Sequence, residues 1–147
     1  MPEPALRIDH LALPCFDPEA TRVFYGERLG LPLAASFRGT SSVWGDRGFW
    51  HLAFALPDGA CLDFFAIDGV ARPEGDPVPV GARHLALAVR SRAELEGWRA
   101  RLAAGEVWIS DPVDHGEGRV SLYCFDPNGH QLELTHRPAA PRAAESR

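Results

Sequence analysis

A chain of 147 residues, 46% of them hydrophobic, is long enough for one compact domain with a real core. Its formal net charge is −5 and its basic residues are scattered. That argues against a nucleic-acid surface, where clustered Lys and Arg meet phosphate. No apolar run approaches the roughly 20 residues a membrane helix requires, and Met1-Pro2-Glu3-Pro4-Ala5 lacks the basic and apolar regions of a signal peptide. A soluble, cytoplasmic protein is expected, acting on a small molecule and not on nucleic acid or membrane. Cys15, Cys61 and Cys124 are odd in number, far apart and outside any CxxC pattern, so they read as free thiols of a reducing compartment.

In chain order, a first strand is expected near residues 7–14. Asp17-Pro18-Glu19 then supplies an N-cap carboxylate, a proline at the first helical position and an acid in the first turn. The helix runs on through residues 20–29, with Gly30 as its stop. Strands follow at about 33–37, 49–56 and 60–67, the last two joined by a tight Asp58-Gly59 turn. Residues 68–81, with three prolines and three glycines, form a linker. A second set repeats the order: a strand at 84–89, a helix at 92–103 ending at Gly105, and strands near 107–109, 120–125 and 131–135. The tail from 137 to 147 has little to bury and reads as disordered. The expectation is a single α+β domain built of two tandem βαβββ modules, about 6–67 and 82–136, forming a cupped mixed sheet around a metal cleft.

The repeat is also visible residue by residue. Ile8-Asp9-His10-Leu11-Ala12-Leu13 returns as Ala82-Arg83-His84-Leu85-Ala86-Leu87, and Pro57-Asp58-Gly59…Leu62-Asp63-Phe64 returns as Pro127-Asn128-Gly129…Leu132-Glu133-Leu134. Each half thus opens with a histidine on one strand and closes with a carboxylate on another. Side chains alternate faces along a strand. His10 then shares a face with Ala12, His84 with Ala86 and Ala88, and Asp63 and Glu133 each lie opposite two large apolar neighbours. The aliphatic faces are free to meet the helices, and two imidazoles and two carboxylates on the other face form a metal-ligand inventory.

Asp9-His10-Leu11-Ala12, Phe24-Tyr25…Leu29-Gly30-Leu31 and Tyr123-Cys124-Phe125-Asp126-Pro127-Asn128-Gly129…Leu132-Glu133-Leu134 are the residues by which the chain resembles the vicinal oxygen chelate superfamily, over about residues 8–135. That group includes glyoxalase I, extradiol dioxygenases, fosfomycin-resistance enzymes, methylmalonyl-CoA epimerase and bleomycin-resistance proteins. The resemblance implies one divalent metal per chain held by His10, His84 and Glu133. Asp63 falls where glyoxalase I has a fourth ligand, a glutamate. One methylene shorter, it is read as a ligand, as acting through water, or as a base. The resemblance also implies a homodimer.

Two imidazoles and one carboxylate suit a non-haem Fe(II) oxygenase. The same set with a second acid suits Zn, Ni, Co or Mn acting as a Lewis acid. His51, on a strand face with Ala53 and Ala55, and Tyr123, before the turn to Glu133, resemble the acid/base and substrate-contacting residues of extradiol dioxygenases, with His115 in the Asp114-His115-Gly116 loop as a second contact. Trp44 and Trp50, with Phe49, are candidates for an apolar substrate wall. His130 and His136 read as solvated. The leading expectation is an extradiol-dioxygenase-like enzyme. A glyoxalase I-like lyase, isomerase or epimerase and a metal-free drug- or metabolite-binding protein are the alternatives.

Overall fold

The computed structural model describes residues 5–139. Of the tail expected to be disordered, 137–139 carry no regular structure and 140–147 lie outside the described residues. The chain divides into two units. One runs to Pro77 and includes Asp126–Asn128; the other takes Val78–Phe125 and the chain from Gly129.

In the first unit, β1 (His10–Pro14), α1 (Pro18–Arg22), β2 (Leu33–Ser41), β3 (Arg47–Ala55) and β4 (Cys61–Ile67) form a mixed four-stranded sheet in the order β1-β4-β3-β2. β1 runs parallel to β4, and the other pairs are antiparallel. The helix starts as its sequence dictates: Asp17 accepts a hydrogen bond from the Ala20 amide, and a proline occupies the first turn. From Val23 to Arg28 it continues as a π-helix and not as the α-helix expected, with the Leu29 amide donating five residues back to Phe24. The wider turn buries both Phe24 and Tyr25, and Tyr25 packs on Phe64 with ring centroids 4.5 Å apart. Gly30 closes the segment at φ 72°, a conformation that favours glycine.

In the second unit, β5 (Leu85–Ala88), α2 (Arg92–Ala104), β6 (Val113–Gly116), β7 (Arg119–Phe125) and β8 (Gln131–His136) repeat the arrangement, in the order β5-β8-β7-β6 with β5 parallel to β8. Ser91 caps α2 by accepting from the Glu94 amide. The strand expected at 107–109 is absent. Only an isolated bridge joins Ile109 to Cys124, and the pairing strand is β6, further along. The Gly116-Glu117-Gly118 turn, all three at positive φ, sets that hairpin and overrides the apolar Val107-Trp108-Ile109 run.

The cores are the inner faces of β3, β4, β7 and β8. Leu52, Phe54, Leu62, Phe64, Leu122, Leu132 and Leu134 are buried. The edge strands differ from the parity expectation, because Leu13, Leu85 and Leu87 are only half-buried and Leu11 is exposed. An edge strand has a sheet neighbour on one side alone, which leaves its side chains less covered. Beside the first core, Tyr25 donates to Asp126 (2.8 Å) and the Asn128 amide group donates to Thr21 (3.0 Å), all four residues being buried. Cys15 and Cys124 are buried and Cys61 is half-buried.

Candidate functional site

In the second unit, Ala86 pairs with Glu133 and Glu133 with Tyr123, so one sheet face carries Glu133, Tyr123 and, two residues along β7, Ser121. His84 precedes β5 and brings its Nε2 to 2.9 Å from Glu133 Oε2. Its Nδ1 donates to the Gly81 carbonyl at 3.0 Å, which leaves Nε2 as the nitrogen available to a cation. Glu133 is 1% exposed. Its Oε1 accepts from the Ser121 hydroxyl at 2.5 Å and from Arg119 Nη2 at 3.2 Å. Burial acts to raise the Glu133 pKa, but the Ser121 hydrogen bond, His84 and the Arg119 charge outweigh it and bring the carboxyl below its ordinary value. Tyr123 moves the other way: burial, then the Glu133 charge, raise its phenol pKa. Its hydroxyl lies 3.1 Å from His115 Nε2, and His115 stands in β6 and not in a loop.

In the first unit, the register sets His10 beside Cys61, Ala12 and Ala53 beside Asp63, and His51 beside Phe65, which puts His10, Asp63 and His51 on one face of three adjacent strands. His51 Nε2 is 3.4 Å from Asp63 Oδ2, while His51 Nδ1 and Asp63 Oδ1 are buried without a hydrogen-bond partner. Half-exposed His10 holds its Nδ1 against Asp9 Oδ2 at 2.8 Å. That bond, and then the Asp63 charge, raise the His10 pKa.

Trp44 packs on Phe49 and Phe65, and the ring of Phe65 lies against that of His51, with centroids 4.6 Å apart. Phe37 flanks His51 from β2. Gly39 makes room for this cluster, since a Cβ there would fall 2.6 Å from the Phe49 ring. Trp50 is not part of it. As the neighbour of His51 in a strand it faces the other way, where its indole donates to Ser36 and lies under Arg38. His130 and His136 are half-buried rather than solvated, and His136 Nδ1 has no partner.

Among the described residues, neither unit by itself gathers three His, Cys, Asp or Glu side chains into a metal cage. What the second unit does hold fits two ligands of one cation. Metal–ligand bonds near 2.1 Å set neighbouring ligand atoms about 3 Å apart, and His84 Nε2 and Glu133 Oε2 have that spacing. Two residues central to this site, Ser121 and Arg119, do not stand out in the sequence as ligand types. Strand parity with Tyr123 is the signal that would have found them.

A family model for the glyoxalase/bleomycin resistance protein/dioxygenase superfamily matches residues 7–134. The chain belongs to that superfamily. Comparison with curated proteins finds no match. Among solved structures, a glyoxalase family protein from Enterococcus faecalis is 29% identical, covering 88% of this chain and 96% of its own, with a TM-score of 0.68. A glyoxalase/dioxygenase from Nostoc punctiforme is 25% identical over 90% of this chain and 91% of its own, with a TM-score of 0.63. A lactoylglutathione lyase from Agrobacterium tumefaciens, 23% identical over 92% and 96% with a TM-score of 0.68, shares the fold. The two βαβββ units are thus those of the glyoxalase/dioxygenase superfamily, and Glu133 and Tyr123, with His84 at hand, share one face of the second sheet.

Proposed function

We propose that the protein is a divalent-metal-dependent enzyme that takes a small substrate through two adjacent oxygens. His84 and Glu133 are ligands, and His10, the repeat equivalent of His84, is a third. The observation that carries this reading is the 2.9 Å approach of His84 Nε2 to Glu133 Oε2, with His84 Nδ1 tied back to Gly81. The bound cation supplies Lewis acidity and, as Fe(II), redox capacity toward oxygen.

The leading form is extradiol-dioxygenase-like, with His51 as acid/base. Asp63 stands 3.4 Å from His51 Nε2 and orients the ring for proton transfer in this reading. Tyr123, whose pKa is raised, keeps its phenolic proton at neutral pH and donates it to a substrate oxygen, with His115 beside it. Trp44, Phe49 and Phe65 give the apolar carbon frame a wall next to His51.

A glyoxalase I-like lyase, isomerase or epimerase is the second reading. It is favoured by one observation: Asp63 Oδ1 is buried without a partner, and the Asp63 charge acts on His10. The test compares Fe(II)-loaded protein with catechols, in air and under argon, against Ni- or Zn-loaded protein with thiol hemiacetals. Oxygen-dependent turnover that falls by orders of magnitude in His51→Gln is expected. Turnover without oxygen that requires Asp63 selects the second reading, and absence of stoichiometric metal in protein purified without chelators rejects both.

A further inference from the structure

We infer that Ser121 and Arg119 are positioning residues that make Glu133 a one-oxygen metal ligand, binding through Oε2 alone. The inference rests on the metal role proposed above for Glu133. The argument begins with the direction of the hydroxyl protons. Ser121 Oγ lies 2.5 Å from Glu133 Oε1 and 2.9 Å from Thr135 Oγ1. A serine hydroxyl has one proton, and an ionised carboxylate only accepts. The Ser121 proton therefore goes to Oε1, and Ser121 accepts in turn from Thr135. Arg119 Nη2 adds a second donor to the same oxygen at 3.2 Å. Ser121 is fully buried and Thr135 nearly so, so water does not compete with this chain of donors.

The two oxygens of Glu133 are consequently unlike. Oε1 has two protein donors fixed on it, and Oε2 meets His84 Nε2. Chelation of a cation through both oxygens would require the carboxylate to turn and give up the Ser121 and Arg119 bonds. Both are hydrogen bonds to a charged acceptor, which are stronger than those between neutral groups. Held as it is, Glu133 takes one coordination position where a chelating carboxylate would take two. A substrate that binds through two adjacent oxygens needs the position so released.

The experiment uses the full chain loaded with Co(II), whose visible absorption is intense at low coordination number and weak at six. Affinity is read by competition with a chromogenic chelator. Ser121→Ala and Arg119→Met are expected to lose intensity in the visible band, as Glu133 turns to bind with both oxygens. Ser121→Ala should also weaken Co(II) binding about tenfold. Arg119→Lys, which keeps a cationic donor, should restore most of the band. Far-ultraviolet circular dichroism of the metal-free variants establishes that they are folded, and if Ser121→Ala is not, Arg119→Met decides. Folded variants with wild-type spectrum and affinity overturn the inference. A wild-type protein that takes up no Co(II) removes the metal role of Glu133 itself, a separate and distinguishable result.

Discussion

Asp63→Asn separates a metal ligand from a partner of His51, and the structure sets the size of the effect. Asp63 and His51 are both largely buried and meet through a single contact of 3.4 Å, long for a hydrogen bond. The amide keeps the shape and one acceptor oxygen but loses the charge. Bonds to charged groups contribute about 1.5–3 kcal/mol and neutral ones about 0.5–1.5 kcal/mol, and a contact of this length sits at the low end of both. The variant should therefore lose about 1 kcal/mol of folding stability. If Asp63 acts only through His51, its effect on metal affinity is indirect, through loss of one nearby charge, and about 1 kcal/mol corresponds to a change of roughly fivefold. Removing a ligand that touches the ion costs more than the roughly 10–100-fold typical of a residue that only supports a ligand. Zn(II) titration of wild type and variant against a chromogenic chelator, beside urea unfolding, reads both numbers. A hundredfold loss of affinity with little change in unfolding midpoint would refute the assignment of Asp63 to His51 and make it a ligand.

Tyr25→Phe removes one buried hydroxyl that donates to Asp126 at 2.8 Å, while the Asn128 side chain still donates to the same oxygen at 3.2 Å. A loss of about 2 kcal/mol is expected in urea unfolding, and one below ~0.5 kcal/mol would show the bond to be dispensable. Burial pushes the Cys15 thiol up to about 11 from 9.0. The unfolded chain thus loses this proton near pH 9 while the folded protein retains it, so stability is flat below pH 9 and falls by about 2 kcal/mol by pH 11. Every basic Lys/Arg position is arginine, so no lysine titrates in that window. Cys15→Ala should flatten the slope, and equal slopes in the two proteins would reject this origin.

The repeat, the strand–helix–three-strand order and the alternation of faces around His10, His51, Asp63 and Glu133 were legible because alternation and turn residues are local signals. Where a local signal was outvoted, the reading failed. Val107-Trp108-Ile109 has strand-like residues, but the hairpin at Gly116-Glu117-Gly118 decides which segment pairs with β7. The helix from Asp17 has ordinary helix formers and caps, and nothing in them announces the π-turn that buries Tyr25. Trp50 was legible and misread, since a neighbour of His51 in a strand must face away from it. Ser121 and Arg119 were missed for a different reason: they act through Glu133 and belong to no ligand type, and only their parity with Tyr123 marks their face.

The strand order also fixes when the His84–Glu133 pair can come into being. In each sheet the last strand of the module in sequence, β4 or β8, lies between its parallel partner and the preceding strand. β7 and β6 can close as a hairpin from local contacts, but β5 has no neighbour until β8 is inserted beside it. A nascent chain that has left the ribosome only as far as β7 carries His84 and Tyr123 but not yet Glu133. The His84–Glu133 pair is assembled by the same event that completes the sheet, so under the metal role proposed above ion uptake would report on the final step of folding in this unit.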